Sequence, residues 1–529
     1  MKNILKVPFL IVIALCLLIQ SCDWFKETPE IGLVLAKHFD NKLYKKFDTA
    51  AYNKVFIGRL EAQKTELTNP LTLKFYYESI QQQPAFVTRF YVNGGLDTLK
   101  SYIGKSREHG FNPEIFGLKD LSRLLSALDA NKFKTVEELY PVLADLEIRS
   151  AESALKYHNF IYFGCINPRG LLSRYYIKVK RPDSNSIKKL LDTKDLAALL
   201  SAIQPKSSQY LALQAALAAY EGATVKDEQA IKTVKINLER LRWKLPETGP
   251  VYVQVNIPDF SLVWMNEADT LIQMKVCVGG KREQDYQAKI ATFLKTGNLD
   301  DKPKNHETPI LFSKLNAIQV NPIWNIPASI AQSEIYYQAL KDPYYLSNNN
   351  MRVYHKGKLV NDPDTIQWAK YPRQKLPFQF KQGAGDGNAM GKFKFMFESG
   401  TSIYLHDTNN KYAFNLKNRA ISHGCVRVEK PLEFAELLLG DKFQYDKLRM
   451  EINLPPLDTT KMAIYQKKLE KKADTVNVFQ LKPKWFSVKP TVSLLINYHT
   501  AWFQNGHIEF RPDIYGLDEI LWSKLQKFL

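Results

Sequence analysis

Cysteine is scarce in this chain: five in 529 residues, at positions 16, 22, 165, 277 and 425, without paired spacing. A disulfide-stapled scaffold is therefore excluded as the organising principle. Arg-rich tracts and zinc-finger spacings are missing, which argues against a nucleic-acid partner despite a formal net charge of +19. Beyond the N-terminus no stretch reaches the roughly 18 uninterrupted apolar residues that a membrane span needs. The glycine-dense run holding Gly383, Gly385, Gly387 and Gly391 lacks the Gly-Lys-Ser/Thr ending of a Walker phosphate loop. Internal repeats and low-complexity segments are absent as well.

What remains is ordinary globular material, 45% hydrophobic and 24% charged, long enough for two to four domains. At the N-terminus Lys2 and Lys6 precede an almost unbroken apolar run over residues 7–18, followed by Ile19, Gln20, Ser21 and Cys22. A short apolar core with basic flanks reads as an export signal over residues 1–21. The small residue before Cys22 resembles a bacterial lipobox, which implies a lipid on Cys22; an uncleaved helix or an ordinary signal peptide is the alternative. Loss of Lys2 and Lys6 with the signal leaves a charge of +17, a basic surface suited to an anionic membrane or wall polymer, or simply a solvated lysine-rich one. With Cys16 cleaved away and Cys22 lipidated, three cysteines remain, so at least one is a free thiol. Cys165 and Cys277 have apolar neighbours and read as small core residues; Cys425, between Gly424 and Val426, reads as the one available for chemistry.

Residues 22–69 read as lipid anchor and tether. Residues 70–245 are helical: Tyr210, Leu213, Leu217 and Tyr220 recur at i, i+3, i+7, i+10, as do Ile231, Val234, Leu238 and Leu241. This region holds no compact polar cluster and reads as a scaffold. Pro246 marks a change of period. Val251, Val253, Val255 and Ile257 alternate as a strand, and a second catalytic-type domain is expected over residues 246–455. Within it, residues 328–378 break the β rhythm and read as a capping insertion. Residues 456–529 are expected to complete the fold, which is α+β.

Chemistry concentrates in Tyr404, Leu405, His406, Asp407 and Thr408, then, fifteen residues after the histidine, Ser422, His423, Gly424, Cys425, Val426 and Arg427. Chance gives a His-Gly-Cys tripeptide in a chain of this composition about 0.004 times. A thiol with an ordinary pKa of about 8.5 becomes a nucleophile when an imidazole takes its proton. His423 stands two positions from Cys425, about 6.5–7 Å away in extended chain and too far for a direct hydrogen bond. His406 arrives from another strand and is expected to be the base, with His423 in the site wall. The N–H groups of Gly424 and Cys425 are expected oxyanion donors. Asp407 can orient His406 by its side chain or by its backbone carbonyl. Arg427 suits either a substrate carboxylate or a structural salt bridge.

His406, fifteen residues, then Ser422, His423, Gly424, Cys425, a hydrophobic residue and Arg427 resembles the L,D-transpeptidase (YkuD-type) catalytic signature. The Arg variant and several further segments are similar to the large periplasmic YcbB-like branch. These are Phe75-Tyr76-Tyr77, His109-Gly110-Phe111, Asn237-Leu238-Glu239-Arg240, Asn321-Pro322-Ile323-Trp324, Gly387-Asn388-Ala389-Met390-Gly391 and Thr500-Ala501-Trp502 with Asp513-Ile514-Tyr515. The resemblance covers residues 70–525. It implies a helical scaffold beside a β-rich catalytic domain with a cap. It also implies a cysteine thioester formed on a peptidoglycan tetrapeptide stem with loss of D-Ala, and 3-3 cross-linking when a second stem amine resolves it; water as acceptor would give an L,D-carboxypeptidase. A wall-binding lipoprotein with a dead site is the reading from another class, and Cys425 and His406 speak against it. Cys425 carries over as nucleophile, His406 as base and Tyr404 as cleft residue; Ser422, Arg427, Trp324 and Asn388 are expected to meet substrate. No metal or cofactor is implied, and the expected partners are stem peptides and, through Cys22, a bacterial membrane facing the periplasm, the protein being a monomer. Two departures stand out. No room exists between Tyr220 and Lys226 for the peptidoglycan-binding module usual in that branch, and Ala384 stands where the branch favours proline.

Overall fold

Side-chain caps start many of the helices. Asp48, Asp195, Ser207 and Asp227 each accept an N–H three residues on, from Ala51, Ala198, Tyr210 and Ala230, satisfying a donor that the first helical turn leaves open. The computed structural model describes residues 27–267, 269–473 and 481–529; the expected export signal and Cys22 lie outside them. Among the described residues no helix is long and apolar enough to cross a membrane. The chain forms two compact units.

The first unit takes the described residues up to Ile166, with Lys180–Lys244 and Lys524–Leu529. Its axis is the 28-residue helix Val136–Phe163. Glu147, buried in that helix, accepts the N–H groups of Phe86 and Val87 (2.9 and 2.7 Å) and the Tyr77 hydroxyl (2.7 Å). Arg242 and Glu239 form a fully buried ion pair at 2.9 Å, a structural role. The tether expectation is corrected here. Residues 30–63 form helices Glu30–His38 and Thr49–Gln63 with a 3-10 turn between them. Tyr44, Tyr52 and Phe56 are fully buried, and Tyr52 and Phe56, one helical turn apart, belong to one apolar face.

The second unit takes Asn167–Val179 and Leu245–Ser523. This also differs from the expected boundary at 245: the segment 167–179, inside the helical stretch of sequence, joins the β unit through a parallel bridge from Tyr175 to Ile310. Its strands are β1 (Val251–Asn256), β2 (Ser261–Asn266), β3 (Asp269–Gly279), β4 (Leu311–Val320), β5 (Trp324–Ile326), β6 (Met351–His355), β7 (Lys358–Leu359), β8 (Phe378–Gln382), β9 (Phe393–Phe397), β10 (Leu405–His406), β11 (Ala420–Ser422), β12 (Val426–Val428), β13 (Lys484–Asn497), β14 (Ala501–Gln504) and β15 (His507–Phe510). Nine of them form one mixed sheet in the order β11-β3-β12-β10-β9-β4-β13-β1-β2, and β2 pairs back to β3. The pairings thus return on themselves, which leaves few open edges. Alternation sends Val253, Val255, Leu315, Leu494 and Ile496 into the core, all fully buried.

The insertion has its own small sheet, β5-β8-β6-β7, over a core that includes Ile330, Leu346, Val353, Trp368 and Phe380. Its limits are wider than residues 328–378, because Trp324 pairs with Gln382 and the flanking strands close it at the base.

Candidate active site

Strand β10 runs antiparallel to β9, with His406 opposite Lys394, and parallel to β12, with Leu405 opposite Val426 and His406 opposite Arg427. Leu405 and Val426 are buried in the core. Side chains alternate along a strand, so Tyr404 and His406 share the other face with Cys425 and Arg427. The Val426 N–H donates to the Tyr404 carbonyl at 3.1 Å and extends this register back to the thiol. The strand that brings His406 is only Leu405–His406. The Lys394 ammonium lies 3.8 Å from the centre of the Tyr404 ring.

His406 Nδ1 hydrogen-bonds the Asp407 carbonyl oxygen. A carbonyl only accepts, so Nδ1 carries the proton and Nε2 keeps its lone pair. The Asp407 side chain is engaged elsewhere: it accepts the N–H groups of Lys392 (2.9 Å) and Thr408 (2.7 Å) and pairs with Lys411. Of the two routes open in the sequence, the backbone is the one made. Burial, with Arg427 beside it, pushes the His406 imidazole down to about 3. Burial pushes the Cys425 thiol up, opposed by a hydrogen bond from the Tyr404 backbone and by Lys394, Arg427 and Arg174. The resting pair is therefore neutral.

The loop that carries Cys425 is pinned from below. Gly424 has φ +119°, a conformation open to glycine. Its N–H donates to Ser422 Oγ (3.1 Å), and the Ser422 hydroxyl donates to the Cys425 carbonyl (2.6 Å). Two expectations change. The Gly424 N–H is occupied, leaving the Cys425 N–H as the one without a protein acceptor among the described residues. Ser422, buried, closes the loop and does not face a ligand. The Thr308 hydroxyl donates to the Gly424 carbonyl (2.9 Å) and accepts the Gly279 N–H (2.8 Å). The Tyr515 hydroxyl accepts the Thr308 N–H (3.1 Å) and donates to the Gly279 carbonyl (2.6 Å). Space beneath is so tight that a Cβ on Gly279 would fall 1.7 Å from the His306 carbonyl oxygen.

Other expected residues separate by position. Arg427 stands in the site with its Nε buried and without a hydrogen-bond partner. Asn388 is corrected: it is buried, and its amide donates to the carbonyls of Pro322 (3.1 Å) and Gly383 (2.8 Å) while accepting the Met390 N–H (2.7 Å). It fastens the glycine-rich loop and has no free group for substrate. Trp324 packs against the cap core. His423 Nε2 bonds Glu334 of the cap at 2.5 Å, and its ring lies 4.6 Å from that of His306. Arg174 donates to the Asn305 carbonyl (3.2 Å), and its second guanidinium nitrogen would lie 3.8 Å from a Cβ on Gly424. Sequence reasoning missed Arg174, His306, Thr308 and Glu334, for which no local pattern exists. Tyr515 stood within a segment compared with the family, without a role. Cys165, Cys277 and Cys425 are free thiols. Among the described residues no group of three His, Cys, Asp or Glu is arranged to hold a metal ion.

Residues 250–464 match the family model described as the L,D-transpeptidase catalytic domain, YkuD, and residues 72–217 match one described as a scaffold domain. The chain is also 30% identical over 312 residues to a Haemophilus influenzae protein named "Putative L,D-transpeptidase", across 58% of this chain and 53% of the relative. It thus spans about half the length of that curated relative.

Proposed function

We propose that the protein is a peptidoglycan L,D-transpeptidase, exported and held to a bacterial membrane by a lipid on Cys22, that forms 3-3 cross-links through a thioester on Cys425. The observation that carries this is the parallel register of β10 and β12, with a thiol, an imidazole and a guanidinium on one face of a sheet, inside the segment that matches the transpeptidase family. Burial disfavours a lone thiolate and a lone imidazolium alike. Proton transfer from Cys425 to His406 Nε2 therefore accompanies attack on the carbonyl, and each ion stabilises the other as it forms. The Cys425 N–H is free to bind the developing oxyanion. His406 then returns the proton to the departing D-Ala amine. Arg427, with an unused donor, suits a stem carboxylate.

The test is incubation of the lipid-free full chain with tetrapeptide-bearing muropeptides and analysis of the products by mass spectrometry. Dimers lacking one D-Ala are expected, tripeptide monomers alone would make the enzyme a carboxypeptidase, and no turnover would refute the reading. A carbapenem should add to Cys425, and an adduct that survives Cys425→Ala would refute the assigned nucleophile.

A further inference from the structure

The thioester step leaves one proton unassigned. An acceptor amine arrives largely as an ammonium ion and attacks only once it has a lone pair. His406 offers a single basic nitrogen, buried in the site, and serves the thiol in forming the thioester. A second imidazole lies on the open side of the loop. His423, two residues before Cys425, has a side chain 36% exposed, and its Nε2 faces Glu334 Oε1 at 2.5 Å. A carboxylate accepts, so Nε2 carries the proton and the neutral ring keeps its lone pair on Nδ1, which has no partner among the described residues. This is the arrangement in which a carboxylate sets the tautomer of a histidine base. Glu334 comes from the π-helical turn Ala331–Ile335 of the cap, a rare deviation that is frequent at functional sites.

We infer, on the basis of the transpeptidase reading above, that His423 is a second general base, acting on the acceptor amine, and that Glu334 is its positioning residue. The ammonium gives one proton to solvent, and the amine nitrogen attacks the thioester carbonyl carbon as His423 Nδ1 takes a second. The C–N bond forms, the C–S bond breaks, and Cys425 leaves as a thiolate that is reprotonated from His423 through solvent. The products are the amide and the free thiol. His306, Lys304 and Arg174 also face this cluster. Burial, then His423, holds His306 below its ordinary value, and the hydrogen bond from His423 holds the Glu334 carboxyl down. The pair is thus an anionic carboxylate beside a histidine, with His306 neutral.

The experiment compares wild type, His423→Gln, Glu334→Gln and Glu334→Asp as full chains, measuring carbapenem addition to Cys425 and the ratio of dimers to tripeptide monomers from muropeptides. In His423→Gln the ratio is expected to fall about 100-fold, the usual range for a lost general base, and by a much larger factor than carbapenem addition. Glu334→Gln should lower the ratio less, because the ring keeps its base nitrogen but loses the carboxylate that orients it. Glu334→Asp should recover part of that loss. Carbapenem addition falling by the same factor as dimer formation would make the pair a structural latch and overturn the inference. An unchanged ratio in His423→Gln would overturn it alone. A wild type that takes the carbapenem but yields only tripeptides uses no amine and also removes it, whereas one that neither takes the carbapenem nor trims the stem removes the transpeptidase reading itself.

Discussion

At the scale of single residues, His406 shows how much of the site a motif discloses. The spacing from His406 to Cys425 was legible because both are rare residue types at a family-specific interval. The partner that sets its tautomer was not, because a backbone carbonyl leaves no mark in the sequence. The same burial that keeps His406 neutral has a consequence for stability. Its folded pKa is about 3 against an ordinary 6.5, so between those values the unfolded chain binds a proton that the native state does not. Stability from this group is complete above pH 6.5 and is lost as pH falls toward 3, at roughly 1.4 kcal/mol per pH unit. Urea unfolding of wild type and His406→Gln between pH 7 and 4 should therefore converge as pH falls, because only wild type carries this slope. Parallel curves would refute a buried neutral imidazole.

At the scale of elements, the nucleophile loop depends on chain that is distant in sequence. The end of β3, the 307–308 turn and Tyr515 meet beneath Gly424, more than 200 residues of sequence separating Tyr515 from Thr308. Strand periodicity disclosed β1. It did not disclose that Gly279 must be glycine for lack of space under the His306 carbonyl, since contacts of this kind arise only when the sheet closes. Nor did it find the base of the cap, because β5 is three residues long and shows no period. Tyr515→Phe would strip the Thr308 N–H and the Gly279 carbonyl of their shared partner in a buried setting. A loss of about 1–3 kcal/mol of stability is expected. Carbapenem addition should slow as well, because the loop that aims the thiol is loosened, while the fold is retained. A variant with wild-type melting and wild-type acylation would show that this network does not support the loop.

At the scale of the whole molecule, the segment that matches the catalytic family and the unit that folds are not the same length of chain. The match ends at residue 464, yet β13 (Lys484–Asn497) lies inside the sheet between β4 and β1, parallel to β1 and antiparallel to β4. The sequence assigned residues 456–529 to completing the fold but could not place this strand, because strand order is a property of the folded sheet. The segment 167–179, with Arg174, belongs to the same unit from the other direction in sequence. A fragment of residues 250–464 would expose the paired edges of β4 and β1 and remove Leu494 and Ile496 from the core, both fully buried. Each of those side chains contributes about 1.5–3 kcal/mol by burial, and the two bare edges invite aggregation. The fragment is expected to aggregate or melt without cooperativity and to take no carbapenem, although it contains His406, His423, Cys425 and Arg427. The full chain should melt cooperatively and react. A fragment of 250–464 that unfolds in one sharp transition and acylates at the full-chain rate would show that β13 is dispensable. His406, Cys425 and Arg427 would then be organised by β9, β10 and β12 alone.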